Sequence, residues 1–207
     1  MLAAMPGLIH VVGARPNFIK AAPVIAALRA AGAIQQLLHT GQHYDSRMSD
    51  IFFEELDLPQ PDINLGVGSG SHGTQTAALL VALEEAFLAQ SPDGVVVYGD
   101  INSTLAAALT CAKLHIRVAH VEAGLRSFDA TMPEEVNRRV TDLLSDPLFV
   151  TAPEGEQNLA AEGVSGDRVV FVGNPMIDTL LAHLYHFRPG PEVVQVRQQR
   201  ITSDPGR

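Results

Sequence analysis

Cysteine occurs once in the 207 residues, at Cys111, so no disulfide can close within the chain. Its setting, AALTCAKL, has small and apolar residues at helical spacing, which suits a buried thiol better than a nucleophile. Long apolar runs are also missing: Ala77 to Leu83 and Gly94 to Tyr98 fall far short of the ~20 residues that cross a bilayer. The opening MLAAMPG lacks a basic segment ahead of an apolar block and a cleavage pattern after one, so a cytoplasmic protein with no membrane partner is expected. Positive charge is in short supply, with Lys+Arg 14 against Asp+Glu 23 and a formal net charge of -9. A nucleic-acid binder needs a basic stripe to displace counterions, and the acidic balance argues against that class of partner. Any phosphate must therefore be met locally, and Lys20, one of only two lysines, stands near Arg15.

What the chain does have is an ordinary globular balance, 46% hydrophobic to 18% charged, and enough length for one full core. Short apolar runs alternate with stretches of helical period. Strands are expected at Leu8–Val12, Ile34–His39, Gly94–Tyr98, Ile116–Val121, Pro147–Thr151 and Arg168–Val172. Helices are expected near Pro16–Ala31, Met48–Leu56, Gly73–Ala89, Asn102–Leu114, Pro133–Leu144, Pro153–Glu162 and Met176–Tyr185. The strands are continuous Val/Ile/Leu rather than alternating, so the expected fold is α/β: a doubly wound parallel sheet, Rossmann-like, with helices on both faces. In such sheets ligands lie beyond the carboxyl ends of the strands, so the polar residues that follow each strand are the place to look for chemistry.

After the first strand comes GARPNFIK, a glycine turn with Pro16 placed as if at the first helical position and two cations, Arg15 and Lys20, near the helix start. Free amides and forked guanidinium donors suit an anion there; a plain turn with two surface cations is the alternative. Gly68 to Gly73 matches GxGxxG but follows the polar, Pro-containing segment Leu58 to Leu65 rather than a clear strand, so it is read as a loop. Asp100 ends VVVYGD and Glu122 ends VAHVE, and Glu134 follows in TMPEEVNRR. Three carboxylates at one sheet edge suit general acid and base work. Their alternatives are structural: Asp100 or Asn102 as a helix cap, Thr131 to Glu134 as a capping box, and Glu122 in a loop salt bridge with Arg126.

Together GARPNFIKAAPV, TGQHYD, GSGSHGTQTA, VVVYGDINSTLAAAL, HVEAGLRSFDATMPEEVNRR and GNPMID resemble the non-hydrolysing UDP-N-acetylglucosamine 2-epimerases, in that family's order and across about residues 8 to 184. The resemblance implies one half of a GT-B type two-domain fold: residues 1–172 as the amino-terminal domain, 173–207 as a linker helix and tail, and the second domain not represented. It implies interconversion of UDP-GlcNAc and UDP-ManNAc by loss of the C2 proton, departure of UDP to give 2-acetamidoglucal, and re-addition on the other face, with no cofactor and no metal. Carried onto matching positions, it assigns Asp100, Glu122 and Glu134 as the acid/base set, and Arg15, Lys20, His43, Arg126 and His72 as substrate contacts.

The family's HRxEN-like segment is not found in the sequence, and His183 and His186 stand in a different context. The expectation is therefore an isomerase that is weak or inactive as this chain alone. A non-catalytic domain, or one subunit of a split enzyme that needs a partner domain, is the competing expectation. A homodimer is the default assembly. A dinucleotide-dependent oxidoreductase built on the Gly68 loop is the weakest alternative.

Overall fold

The computed structural model describes residues 7–41, 53, 55–164 and 166–184. The described residues form seven strands, all but the third from apolar runs: β1 (Leu8–Val12), β2 (Gln35–His39), β3 (Ile63–Asn64), β4 (Gly94–Tyr98), β5 (Arg117–Ala123), β6 (Leu148–Val150) and β7 (Val169–Phe171). They make one sheet in the order β3-β2-β1-β4-β5-β6-β7, and every pairing is parallel. Among the described residues, α-helices α1 (Arg15–Ala30), α2 (His72–Gln90), α3 (Asn102–Leu114), α4 (Pro133–Leu144), α5 (Pro153–Ala161) and α6 (Pro175–His183) connect and cover them.

The alternation of side chains along each strand divides the core in two. Ile9, Val11, Val95 and Val97 point to a cluster with Leu79, Leu83 and Phe87 of α2 and Ala107 and Cys111 of α3. Val12, Val96, Tyr98 and Val121 point to the other side, against Phe18, Ala21 and Ile25 of α1. In α2 the spacing of four that puts Leu79, Leu83 and Phe87 on one stripe buries them to 0%, 0% and 1% exposure. Each such side chain is worth ~1.5–3 kcal/mol against leaving it in water. A smaller cluster of Ala123, Leu148, Val150 and Leu159 seats α5. Helix α6 lies against α1, and Thr179 Oγ1 donates to the Ile19 carbonyl at 2.7 Å. Between α1 and α6 an apolar groove of ≈ 550 Å³ is floored by Ala119, Val121 and Phe149.

The expected doubly wound sheet is the observed one, with two local differences. β3 adds a strand where a polar segment was expected, held by only two register pairs with β2. β5 runs to Ala123, past the expected Val121, because its register with β6 shifts between Val121 and Ala123. The expected Met48–Leu56 helix lies largely outside the described residues. Among those residues, no helix is long and apolar enough to cross a membrane. Cys111 is fully buried, and burial pushes its thiol up to about 12.

Candidate functional site

The sheet order reverses between β1 and β4, since the chain leaves β1 toward β2 and returns to β4 on the other side. A crevice opens where connections diverge in this way, beyond the carboxyl ends of these strands. At the end of β1, a side chain on Gly13 would lie 2.4 Å from Thr40 Oγ1 and 2.6 Å from Ser103 Oγ, so the turn admits only glycine. Ala14 is the N-cap of α1 and has no side-chain cap to offer. Asn17 supplies one: its Oδ1 accepts from the Gly13 and Ala14 amides at 3.2 and 3.3 Å. Its Nδ2 donates to the Tyr98 carbonyl at 2.8 Å, which ties the turn after β1 to the end of β4. Arg15 stands exposed at the first position of α1, where a helix N-terminus favours anions.

Lys20 lies one turn deeper, 7% exposed, and its ammonium forms an ion pair with Glu122 at the end of β5. Glu122 has φ 77°, a left-handed value that is uncommon outside glycine, at the irregularity where β5 changes register. Gly99, at φ 63°, sits directly beside the pair: an added Cβ would meet Lys20 Nζ at 2.8 Å and Glu122 Oε2 at 3.2 Å. The next residue, Asp100, pairs with Arg138 of α4 at 2.6 Å. Glu134 stands on the first turn of α4, four positions before Arg138 and so on the same helical face. Its side chain takes no hydrogen bond or ion pair among the described residues.

Its neighbour Glu135 is committed elsewhere. Burial works against its charge, yet the Ser127 amide and hydroxyl and the Arg138 guanidinium hold it below the usual carboxylate range.

The first turn of α2 also reaches this rim. His72 Nδ1 lies 3.2 Å from Asn102 Nδ2, which donates to Gln75 Oε1 at 2.8 Å. Asn137 Nδ2 in turn donates to the Asp100 carbonyl at 2.8 Å and lies 3.3 Å from Asn102 Oδ1. The glycine segment thus ends at a helix whose start is tied to the Asp100 turn.

Of the residues proposed from sequence, Lys20 and Glu122 are brought into contact. Asp100 is tied through Arg138 to α4, on the helical face that also carries Glu134; Arg15 stands at the first position of α1; and His72 adjoins the Asp100 turn through Asn102. Arg126 is placed differently. Its side chain is 1% exposed and its guanidinium lies 2.8 Å from Asp142 and 2.7 Å from Glu162. A cation in that position has its donors spent on protein carboxylates rather than on a ligand. His43 lies outside the described residues.

The structural alternatives also change. Asp100 pairs with Arg138 and does not cap α3, whose N-cap is Ile101. Thr131 bonds Asp129 rather than closing a capping box, because Pro133 starts α4 with Met132 at the cap. Glu122 pairs with Lys20, not Arg126. Asn17, Gly99, Asn137 and Arg138 were not singled out from sequence, and Asn102 entered there only as a helix cap. Arg138 was reachable there through its spacing of four from Glu134.

A family model for UDP-N-acetylglucosamine 2-epimerase matches residues 26–203. A UDP-N-acetylglucosamine 2-epimerase of Methanocaldococcus jannaschii is 48% identical over 174 residues, 84% of this chain and 48% of that protein. A UDP-2,3-diacetamido-2,3-dideoxy-D-glucuronate 2-epimerase of Pseudomonas aeruginosa is 46% identical over 177 residues, 84% of this chain and 50% of that protein. The crystal structure of the Methanocaldococcus jannaschii UDP-GlcNAc 2-epimerase in complex with UDP-GlcNAc and UDP superposes with a TM-score of 0.86 at 45% identity, over 93% of this chain and 53% of that one. The chain spans about half the length of these relatives.

Proposed function

Because the chain belongs to the UDP-N-acetylglucosamine 2-epimerase family, we propose that its crevice serves to epimerise a UDP-linked 2-acetamido sugar at C2, with UDP-GlcNAc as the first substrate. The observation that carries the reading is the gathering of two cation–carboxylate pairs, Lys20–Glu122 and Arg138–Asp100, at the ends of neighbouring strands beside the start of α1. The two relatives described above differ in the sugar but share, in their names, a UDP carrier and inversion at C2, which is why the proposal is made at that level.

In this reading a carboxylate of the set Asp100, Glu122 and Glu134 takes the C2 proton. The C1–O bond breaks, UDP leaves with the bonding electrons, and the sugar becomes 2-acetamidoglucal. UDP then adds back at C1 while a proton is delivered to the opposite face of C2. Arg15 and the α1 N-terminus meet the departing diphosphate, where donors count most as negative charge develops. Lys20 keeps Glu122 in one orientation beside Gly99, and Arg138 does the same for Asp100. Glu134, the uncommitted carboxylate, is suited to give or take the second proton.

The crevice works against an opposing domain of the kind that fills the rest of the relatives' length, and the isolated chain turns over slowly. Incubation with UDP-GlcNAc in heavy water tests the reading. Deuterium should enter C2, faster when an opposing family domain is supplied, and Asp100→Asn/Glu122→Gln should abolish it. Undiminished exchange in that double variant would remove the assigned roles.

A further inference from the structure

We propose that His120 and Asp142, which lie beneath the crevice, form a two-armed brace that sets the Asp100 turn and the Glu122 bulge at a fixed spacing. They are positioning residues for the epimerase reading, on which this inference rests.

Asp142 stands in the last turns of α4 at 1% exposure, and His120 in β5 at 0%. One carboxylate oxygen, Asp142 Oδ1, is 2.6 Å from His120 Nδ1. The far side of the ring, Nε2, is 2.8 Å from the carbonyl of Gly99. Each ring nitrogen thus faces an oxygen, and the imidazole bridges the carboxylate to the Gly99 carbonyl. The second carboxylate oxygen, Oδ2, accepts the Gly124 amide at 3.0 Å and lies 2.8 Å from Arg126. Although burial pushes the Asp142 carboxyl up, the His120 hydrogen bond and the charges of His120 and Arg126 hold it below the usual range.

A single carboxylate therefore grips the end of β4 through the ring and the end of β5 directly. At both places the backbone is left-handed: Gly99 has φ 63°, Glu122 φ 77° and Gly124 φ 79°. Left-handed residues other than glycine persist only where their surroundings over-determine them. Further bonds fix the same bulge, with Asn158 Nδ2 donating to the Gly124 carbonyl at 2.9 Å and Arg126 to that of Leu125 at 2.7 Å. A Cβ on Gly124 would also lie 2.4 Å from the Gly155 carbonyl, so α5 closes the space beneath it. Buried networks in which every member is satisfied specify one arrangement, and the brace spans the two loops that carry the proposed acid/base groups.

The 207-residue chain, labelled with 15N, tests this in the variants Asp142→Asn and His120→Gln. The glutamine amide still reaches toward Gly99 but drops the bond to Asp142. The amide resonances of Gly99, Asp100 and Glu122 to Gly124 should shift together in both variants. Cys111→Ala, equally buried, should leave those resonances in place. Deuterium exchange at C2 of UDP-GlcNAc should fall by on the order of 100-fold in kcat while KM stays within about twofold, since misplacement of reacting groups by about 1 Å costs that much. Wild-type loop resonances in folded Asp142→Asn, or a change confined to KM, would overturn the brace. If Asp142→Asn does not fold, His120→Gln makes the same comparison. If the wild-type protein shows no exchange, the epimerase reading fails, and the resonance shifts still decide the brace.

Discussion

Lys20 and Glu122 stand 102 positions apart in the chain and share a hydrogen bond between a charged donor and a charged acceptor, in the space that Gly99 leaves open by having no side chain. Their side chains are 9% and 15% exposed, so water screens the pair only in part. Neither charge would be tolerable there alone, because a buried ion without its partner keeps its desolvation cost and loses the attraction that offsets it.

Lys20→Met and Glu122→Gln should therefore each lower folding stability by about 2–5 kcal/mol. The double variant should lose less than the sum of the two, since the second change removes the charge that the first left stranded. Urea unfolding of the four proteins measures the coupling directly, and additive losses would show that the pair contributes little beyond its separate contacts.

Gly99→Ala tests the same space from the backbone. Alanine at φ 63° costs about 1–2 kcal/mol, and its methyl would meet Lys20 Nζ at 2.8 Å. The ammonium must give way, so C2 exchange should fall far more than the modest loss of stability explains. Equal losses in both would show that Gly99 serves the turn alone.

His10 gives the chain a pH dependence. It is fully buried, with Nδ1 2.7 Å from Tyr98 Oη and Nε2 2.9 Å from Gln35 Oε1. Burial lowers it from 6.5 to about 4, partly opposed by the Gln35 hydrogen bond. Between those values the unfolded chain binds a proton that the folded chain does not, so stability rises with pH across that window. The contribution is complete above about 6.5 and is lost progressively as pH falls toward 4, by about 3 kcal/mol in all. Urea midpoints taken from pH 7.5 down to 4 should trace that slope, and His10→Asn should flatten it.

Arg126 separates stability from recognition. Its fork serves two carboxylates at once, a geometry that lysine cannot reproduce. Arg126→Lys should lower the melting temperature by several degrees, while affinity for UDP-GlcNAc, measured calorimetrically, stays close to that of the parent protein. A selective loss of affinity would restore a direct contact with the substrate.

Much of the fold was legible because a parallel sheet buries its strands on both faces, and LIHVV, GVVVY and LFV appear in the sequence as unbroken apolar runs. β3 was not legible: two residues in a polar, proline-containing segment carry no periodicity, and neighbouring β2 alone defines them. The rim carboxylates could be found because each follows a strand, but their partners could not. Lys20–Glu122 and Asp100–Arg138 join elements distant in sequence, and nothing local announces that Glu122 leaves its strand at φ 77°. Arg126 illustrates the converse, since its place in HVEAGLRS suggested a ligand contact. Only the approach of α4 and α5 reveals that Asp142 and Glu162 already hold it.

The order of the strands bears on how the molecule is made. β1, the first of the described strands to leave the ribosome, lies inside the sheet, with β2 and β3 extending it one way and β4 to β7 the other. Each newcomer finds its neighbour already synthesised and one flank of it bare, and none has to wedge between two strands that are joined. Assembly can thus keep the direction of translation, and a ribosome that stalls after any strand leaves a smaller sheet of the same handedness rather than a tangle to be undone.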